Sequence, residues 1–536
     1  SEGYKTTTFT VNGSDFTSGD TLTVTGDVTI VYSQVEAVTL TLNVDGVDEI
    51  IEVEKGVSLE SVLPEEYNVY STCGFYINDS FTKSINPAEI NTSESMKLYT
   101  KKATLDKIVI NSYGAVSCLD TSISGEVVFP QKYITSSGNT VTVKSFAVGA
   151  FNGCNKITSI LIPDSVVSIT SSIFESCTRI EKIIIGSGIK SLEFDESIGI
   201  KRLFSSCYSL KEILVNENNA NYCSEDGVLF SKDKTTLVQY PLGKVDSDYT
   251  IPDEVKTIGI SAFDGCSKLV NVIMGKNVTT LKKQAFNFCT SLKKVTFSES
   301  LVSLGVSAFN QCVKLEEIIN VDSIASIGSY AFSSCNCLTS VIIGNNVTTI
   351  ESCAFQSCNK LLDVTIGDKV SNIASNAFTV CDLLSKFTVT ENNSTYTSLN
   401  GVLFNREKTS LILYPASKED SEYSIPEGVE SVGSSAFYNF KNLKTLIIPS
   451  TVKSIGSSAF SSRKNLDLVT IKSEEIYNNA ISTSSTSCGG LLGRATSVKV
   501  LKSIVDDESN TNSYLNNESN FTKTEDGDYY LYTKVV

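Results

Sequence analysis

Phenylalanine recurs every 23 residues through the middle of the chain, at Phe263, Phe286, Phe309, Phe332, Phe355 and Phe378. Each is followed three positions later by a cysteine: Cys266, Cys289, Cys312, Cys335, Cys358 and Cys381. Phe151 with Cys154, Phe174 with Cys177 and Phe204 with Cys207 extend the series towards the N-terminus, while Phe437 and Phe460 extend it towards the C-terminus, where Phe440 and Arg463 replace the cysteine. A fixed period of this length marks a chain that folds by stacking copies of a small unit. Stacking is also how 536 residues escape the need for one core larger than compact domains sustain.

The unit read from Cys335 is Cys-x2-Leu338-x2-Val341-x-Ile343-Gly-x2-Val347-x2-Ile350-x3-Ala354-Phe355. Val341 and Ile343 should point one way and Ile342 the other, which is the alternation of a short strand. The next apolar positions fold the chain back, and the Ala-Phe pair plugs the far side. One such coil cannot bury its own apolar set, so neighbours must cover it, and strands spaced about 4.8 Å apart then build a parallel sheet. The Phe204–Phe263 and Phe378–Phe437 steps are both 59 residues, and the inserted segments are copies of each other. Gly227-Val-Leu-Phe230 and Tyr240-Pro241 match Gly401-Val-Leu-Phe404 and Tyr414-Pro415; Tyr249-Thr-Ile-Pro252 answers Tyr423-Ser-Ile-Pro426. Each insertion reads as a hairpin plus one further coil, with the sheet running on through it. A smaller insertion near Asp195 to Lys201 should bulge as a loop.

Over roughly residues 125 to 472 this pattern resembles the BspA-like leucine-rich repeats, a family of bacterial and protist surface proteins. Unlike better-known leucine-rich repeats, these units are expected to carry no buried Asn after the strand. Residues 34–102, with Val38-Thr-Leu-Thr-Leu-Asn-Val44, Gly56-Val-Ser-Leu59, Gly74-Phe75-Tyr76 and Met96-Lys-Leu-Tyr99, resemble the Listeria-Bacteroides repeat, a β-grasp module of bacterial surface proteins. Phe75 stands where that module usually has Trp, and its final Trp is missing. The expected fold is therefore mainly β: a right-handed leucine-rich-repeat solenoid with a parallel sheet, preceded by a small β-grasp-like domain. The expected divisions are 1–33, the end of a preceding β-module with strands at Gly19–Val24 and Val28–Tyr32; 34–102, the β-grasp-like module; 103–150, an N-terminal cap; 151–472, the solenoid; and 473–536, a β-rich C-terminal cap.

Composition narrows the function. A net charge of −16 leaves no basic face for phosphate, so nucleic acid is not an expected partner. Histidine is absent, which removes the side chain most used in acid-base catalysis, triads and zinc sites. Tryptophan is absent too, so no indole platform for sugar exists, although 22 Tyr and 25 Phe could stack on one. No apolar run approaches the roughly 18 residues of a membrane span, so no membrane insertion is expected. The start Ser1-Glu2-Gly3-Tyr4 is no signal peptide, and the chain reads as a fragment already trimmed of its export signal and anchor.

Nine of the fifteen cysteines occupy the one repeat position, which favours a small buried side chain over a disulfide or a metal ligand. The others, Cys73, Cys118, Cys223, Cys337, Cys353 and Cys488, show no Cys-x2-Cys spacing. So many free thiols in an exported protein would suit a low-oxygen habitat. Acidic clusters at Glu419-Asp420 and Asp506-Asp507-Glu508 lack calcium-loop spacing and read as solvated loops. The sequons at Asn277 and Asn346 are expected by chance in a chain so rich in Asn, Ser and Thr. No cofactor or metal is expected, and no catalytic residue can be named.

The candidate binding stripe is the middle strand position, outward from the core: Leu161, Ile184, Leu214, Ile273, Thr296, Ile319, Ile342, Thr365, Thr388, Ile447 and Thr470. Either it reflects β-branched preference on a flat sheet, or it is an apolar strip that docks a partner. Charges two residues earlier (Lys182, Glu212, Lys294, Glu317, Asp363, Lys386) are mixed in sign and offer no uniform lure. The family resemblance implies adhesion to host matrix proteins and contact between cells. The expectation is a non-enzymatic extracellular or cell-surface binding protein with a protein ligand such as a protein of the host extracellular matrix. The alternative is a structural or glycan-binding surface protein.

Overall fold

The computed structural model describes residues 4–11, 14–16, 30–67, 72–170, 173–193, 204, 206–319, 321–461, 465–480, 484 and 488–535. Two units separate: Ser1–Lys234 with Gln239–Lys244, and Thr235–Val238 with Val245–Val536.

In the second unit the coil starting at Cys335 shows how 23 residues close on themselves. Ser340–Ile342 is a short strand that buries Val341 and leaves Ile342 67% exposed. The chain turns at Gly344, where an added Cβ would lie 2.4 Å from the Val321 carbonyl oxygen, so only glycine permits this approach of neighbouring coils. Val347 and Ile350 go inside, the latter on a second short strand, Thr349–Ile350. The backbone then reverses around the buried Ala354-Phe355 pair, helped by left-handed conformations at Cys353 (φ 56°) and Ser357 (φ 60°).

Each coil hydrogen-bonds to its neighbours along three lines, all in register with the sequence period. The first strand pairs in parallel, Val341 opposite Val364 and Ile342 opposite Thr365. The second also pairs in parallel, with Ile350 between Ile327 and Ile373. On the third line the Phe332 N–H donates to the Ala354 carbonyl at 2.8 Å and the Phe355 N–H to Ala377 at 2.8 Å. The phenylalanines therefore stack face to face: Phe286 on Phe309 at 5.0 Å, Phe309 on Phe332 at 5.5 Å and Phe355 on Phe378 at 5.3 Å, with ring planes within 4°.

The cysteine column does more than fill space. The Cys312 thiol donates to the Phe286 carbonyl of the preceding coil at 3.1 Å, and Cys289, Cys335, Cys358 and Cys381 repeat the contact on Phe263, Phe309, Phe332 and Phe355 at 3.1 to 3.3 Å. The Phe286 carbonyl also accepts the Cys289 N–H, so the thiol takes its second lone pair. Burial pushes the thiols of Cys289, Cys312, Cys335 and Cys358 up, and that of Cys177 to about 12.

The second insertion departs from the expectation of an unbroken sheet. Its hairpin, Tyr396–Leu399 with Val402–Asn405, turns at Asn400-Gly401, both left-handed, as a two-residue antiparallel connection demands. The hairpin continues through Ser410–Leu413 into the second ladder, beside Ser431–Val432. On the first ladder, Phe387 donates to the Gly401 carbonyl instead of to a new strand. That sheet consequently ends at Lys386–Val389, and another begins at Glu422–Ser424. The buried Asn393 braces the junction: its amide donates to the Gly367 and Val370 carbonyls at 2.7 and 3.0 Å, and its oxygen accepts the Thr395 and Tyr396 N–H groups. The expectation of no buried Asn after the strand thus fails at the insertions, where Asn393 is buried and braces the junction. Asn512 in the C-terminal cap makes the same contacts, to the carbonyls of Tyr477 and Ala480 and from the N–H groups of Tyr514 and Leu515.

The cap carries the last sheet onward. Leu466–Ile471 pairs in parallel with Ala495–Leu501, which then pairs antiparallel with Tyr529–Lys534, and Phe521–Asp526 forms the final edge. Short helices at Glu474–Asn479 and Leu491–Arg494 close the end of the core with Ile476, Tyr477, Leu491 and Leu492.

In the first unit, the strand Ile30–Val44 pairs antiparallel with Tyr4–Val11 in its first half and with Val47–Glu54 in its second, and in parallel with Met96–Thr100. A division at residue 33 therefore falls inside a strand. The start of Val28–Tyr32 and all of Gly19–Val24 lie outside the described residues, as does the loop at Asp195 to Lys201. The core of this sheet is Leu40, Leu42, Val44, Val53, Leu59, Tyr67, Phe75 and Leu98. The parallel coil ladder begins at Ser124–Val128, beside Lys156–Ile162, so a division at residue 150 also cuts through continuous structure. The first insertion repeats the hairpin, Tyr222–Glu225 with Val228–Ser231, and Asn219 there plays the role of Asn393.

Candidate functional site

The outward position of the first strand is the surface to weigh, since each coil adds one residue to it. In the second unit Thr250, Ile273, Thr296 and Ile319 lie in register, then Ile342, Thr365 and Thr388, then Ser424, Ile447 and Thr470. Ile273 is 49% and Ile342 67% exposed, while Thr296, Ile319, Thr365 and Ile447 are half-buried by their neighbours in the row. Thr388 is exposed, and Thr470, where the cap begins, is buried. The charges flanking the row are spent on each other: Lys294 meets Glu317 at 2.9 Å and Lys386 meets Asp363 at 3.5 Å. Such exposed pairs add little stability, and they leave the strip electrically quiet.

The first unit differs. Leu161 and Ile184 are buried and Leu214 half-buried, because Cys73, Tyr76 and Phe81 of the N-terminal module lie on them. Tyr76 and Phe81 meet edge to face at 5.3 Å, and the Lys101 ammonium sits over the Phe81 ring. Those three stripe residues, expected to face outward to solvent, are instead the floor of an intramolecular contact. No local pattern predicts this, since the covering residues lie about 80 positions or more before the strand they cover. Beside that contact, Tyr67, Phe75, Gln131, Asp164, Ser187 and Asn218 line a cleft of about 790 Å³ that sequence reasoning missed.

The other features singled out in the sequence have local explanations. Asp507 accepts the Ser509 N–H and hydroxyl at 2.9 and 2.6 Å, which lowers its carboxyl below the usual range and closes a tight turn. Asp420 pairs with Lys418 at 2.9 Å. Asn277 and Asn346 donate to the carbonyls of Asp253 and Asp322, each one coil back, both at 2.8 Å. Among the described residues no group of three or more Cys, Asp or Glu side chains is placed to hold a metal ion, and no helix is long and apolar enough to cross a membrane.

No curated protein matches the sequence. Among solved structures, the chain is similar to a leucine-rich repeat protein from Bacteroides ovatus at 23% identity, covering 68% of this chain and 94% of that one, with a TM-score of 0.45. A leucine-rich repeat protein from Eubacterium ventriosum is similar at 20% identity over 62% of this chain and 93% of that one, with a TM-score of 0.41. A leucine rich cell surface protein from Faecalibacterium prausnitzii is similar at 19% identity over 75% of this chain and 96% of that one, with a TM-score of 0.31. The profile of the BspA type leucine rich repeat region matches residues 122–236, 246–320, 303–419 and 414–488. With more than half of its length so matched, and with the Phe stack, thiol column and parallel ladders that those residues build, the chain belongs to the BspA-type leucine-rich repeat family.

Proposed function

We propose that this is a non-catalytic extracellular or cell-surface binding protein that engages a partner protein along the outward strip of its second unit, between Ile273 and Thr388. The observation that carries the reading is a contrast at one repeat position between the two units. The same position that holds Leu161 and Ile184 under an aromatic loop leaves Ile273 and Ile342 open. The burial of Leu161 and Ile184 beneath Tyr76 and Phe81 supports reading this repeat position as one that can take a protein surface, and contiguous exposed apolar patches tend to mark interaction sites. The N-terminal module rests on its coils through Tyr76 and Phe81, which favours a clamp over the free stalk that a β-grasp-like spacer would make. Adhesion, with a host extracellular matrix protein as ligand, follows from the family resemblance. Recognition would rest on area and shape, without an acid-base pair.

The test is capture of purified matrix proteins by the full chain, compared with Ile273→Asp and Ile342→Asp. Both residues are exposed, so folding should survive, and binding should fall at least tenfold. Undiminished capture by the double variant, together with selective binding on a glycan array, would move the function to the glycan-facing alternative.

A further inference from the structure

Cys154 is the first member of the thiol column, and its neighbour Cys118 differs from the column cysteines in being half-exposed. From Cys289 onward the thiols turn to the phenylalanine carbonyl one coil back, but no Phe-Cys coil precedes Cys154. Its sulfur instead meets the sulfur of Cys118 at 3.6 Å. Cys118 ends the strand Ala115–Cys118, its N–H donates to the Ala150 carbonyl at 3.0 Å, and its own thiol donates to the Asp120 carbonyl at 3.1 Å. Two backbone segments are thus already fastened side by side with their sulfurs in van der Waals contact. Cys118 is half-exposed, whereas Cys154 is buried, so a dissolved oxidant has a way in from one side only.

We propose that Cys118 and Cys154 form an oxidisable dithiol, converted by a small-molecule disulfide into a protein disulfide that ties the leading strands to the first coil. The Cys118 thiolate attacks one sulfur of the oxidant; an S–S bond forms to Cys118 as the oxidant's own S–S bond breaks, and a thiolate leaves and takes up the proton. Cys154 then displaces the second thiol, giving up its proton to that leaving group. Two protein thiols are oxidised, and one disulfide is reduced to two thiols. Closing the bond requires the sulfurs to move from 3.6 Å to about 2 Å, a side-chain adjustment. The column thiols beyond Cys154 are buried, and Cys177, Cys207 and those from Cys289 to Cys381 are also hydrogen-bonded to carbonyls, so they stay reduced. Burial and the adjacent Cys118 sulfur raise the Cys154 thiol to about 12, which suits it to the second, intramolecular step rather than the first.

The test treats the native full chain with oxidised glutathione, blocks remaining thiols with iodoacetamide after unfolding, and maps the peptides without reduction. The expected result is one cross-linked peptide joining Cys118 to Cys154, lighter by two hydrogens, reversed by dithiothreitol, with the other cysteines alkylated. Cys118→Ser, a half-exposed and nearly isosteric change, should abolish it while the fold persists by circular dichroism. Glutathione retained on Cys118 with Cys154 still alkylated would overturn the proposal. So would no modification at all, or cross-links spread among the column cysteines.

Discussion

Replacing Phe309 by alanine tests the stacked rings most directly. The ring is fully buried, lies between Phe286 at 5.0 Å and Phe332 at 5.5 Å, and is nearly parallel to both, with angles of 4° and 3°. Truncating a buried Phe to Ala costs about 3–5 kcal/mol through lost transfer energy and the cavity left behind. The cavity cannot collapse easily here, because the Phe309 N–H and the Ala308 and Ala331 backbones are pinned in the third ladder. The upper end, about 5 kcal/mol, is therefore expected. Phe309→Leu keeps most of the apolar volume but loses both ring pairs, each worth about 0.5–1.5 kcal/mol beyond burial, so it should cost about 1–3 kcal/mol. Because each coil touches only its neighbours, the loss should be local. Urea unfolding followed by circular dichroism would give the magnitude, and hydrogen exchange should show the coils around Phe286, Phe309 and Phe332 opening first. An alanine variant destabilised by less than about 1 kcal/mol, or exchange protection lost evenly along the array, would refute the reasoning.

Four further outcomes are expected. The buried thiols of Cys177 and Cys335 titrate above their unfolded values, so their contribution to stability is complete below about pH 8.5 and is lost as pH rises towards 12, at about 1.4 kcal/mol per pH unit for each thiol; Cys335→Ala should make the alkaline decline in urea midpoint shallower by one thiol's share. Gly367→Ala should destabilise by about 1–3 kcal/mol, since its Cβ would lie 2.6 Å from the Gly344 and Ile343 carbonyl oxygens; a thermal midpoint equal to wild type would contradict that geometry. Asn393→Ala removes the donor to the Gly367 and Val370 carbonyls and the acceptor of the Thr395 and Tyr396 N–H groups and should cost about 3 kcal/mol, with exchange at the Tyr396 amide rising first. Ile342→Asp should leave the melting temperature within about 2 °C of wild type, because its side chain is mostly in water; a larger fall would show that the position is structural.

Much of the coil is legible in the residues because its information is local and repeated. The inward Val341 and Ile343, the outward Ile342, the buried Ala-Phe pair and the thiol column all follow from one period. What that period does not carry is the acceptor of each thiol, since a phenylalanine carbonyl one coil back has no side-chain signature. The break in the sheet after Lys386–Val389 is equally silent: Val402-Leu403-Phe404 suits either ladder, and only the left-handed turn at Asn400-Gly401 sends it to the second. The covering of Leu161 and Ile184 by Tyr76 and Phe81 was out of reach for a different reason. It is a meeting of two separately patterned segments, each of which reads well alone.

A stack of identical coils has no intrinsic length, and its last sheet edge is an invitation to another chain. The C-terminal cap answers that hazard twice. Tyr529–Lys534 reverses the strand direction, so the next surface offered no longer matches the parallel pairing of a fresh coil. Phe521–Asp526 then presents Lys523, Glu525 and Asp526 along an exposed rim, where desolvating those charges opposes pairing with a further strand. Removing Phe521–Asp526 and Tyr529–Lys534 together should therefore leave Ala495–Leu501 as a bare edge on which a further chain can pair.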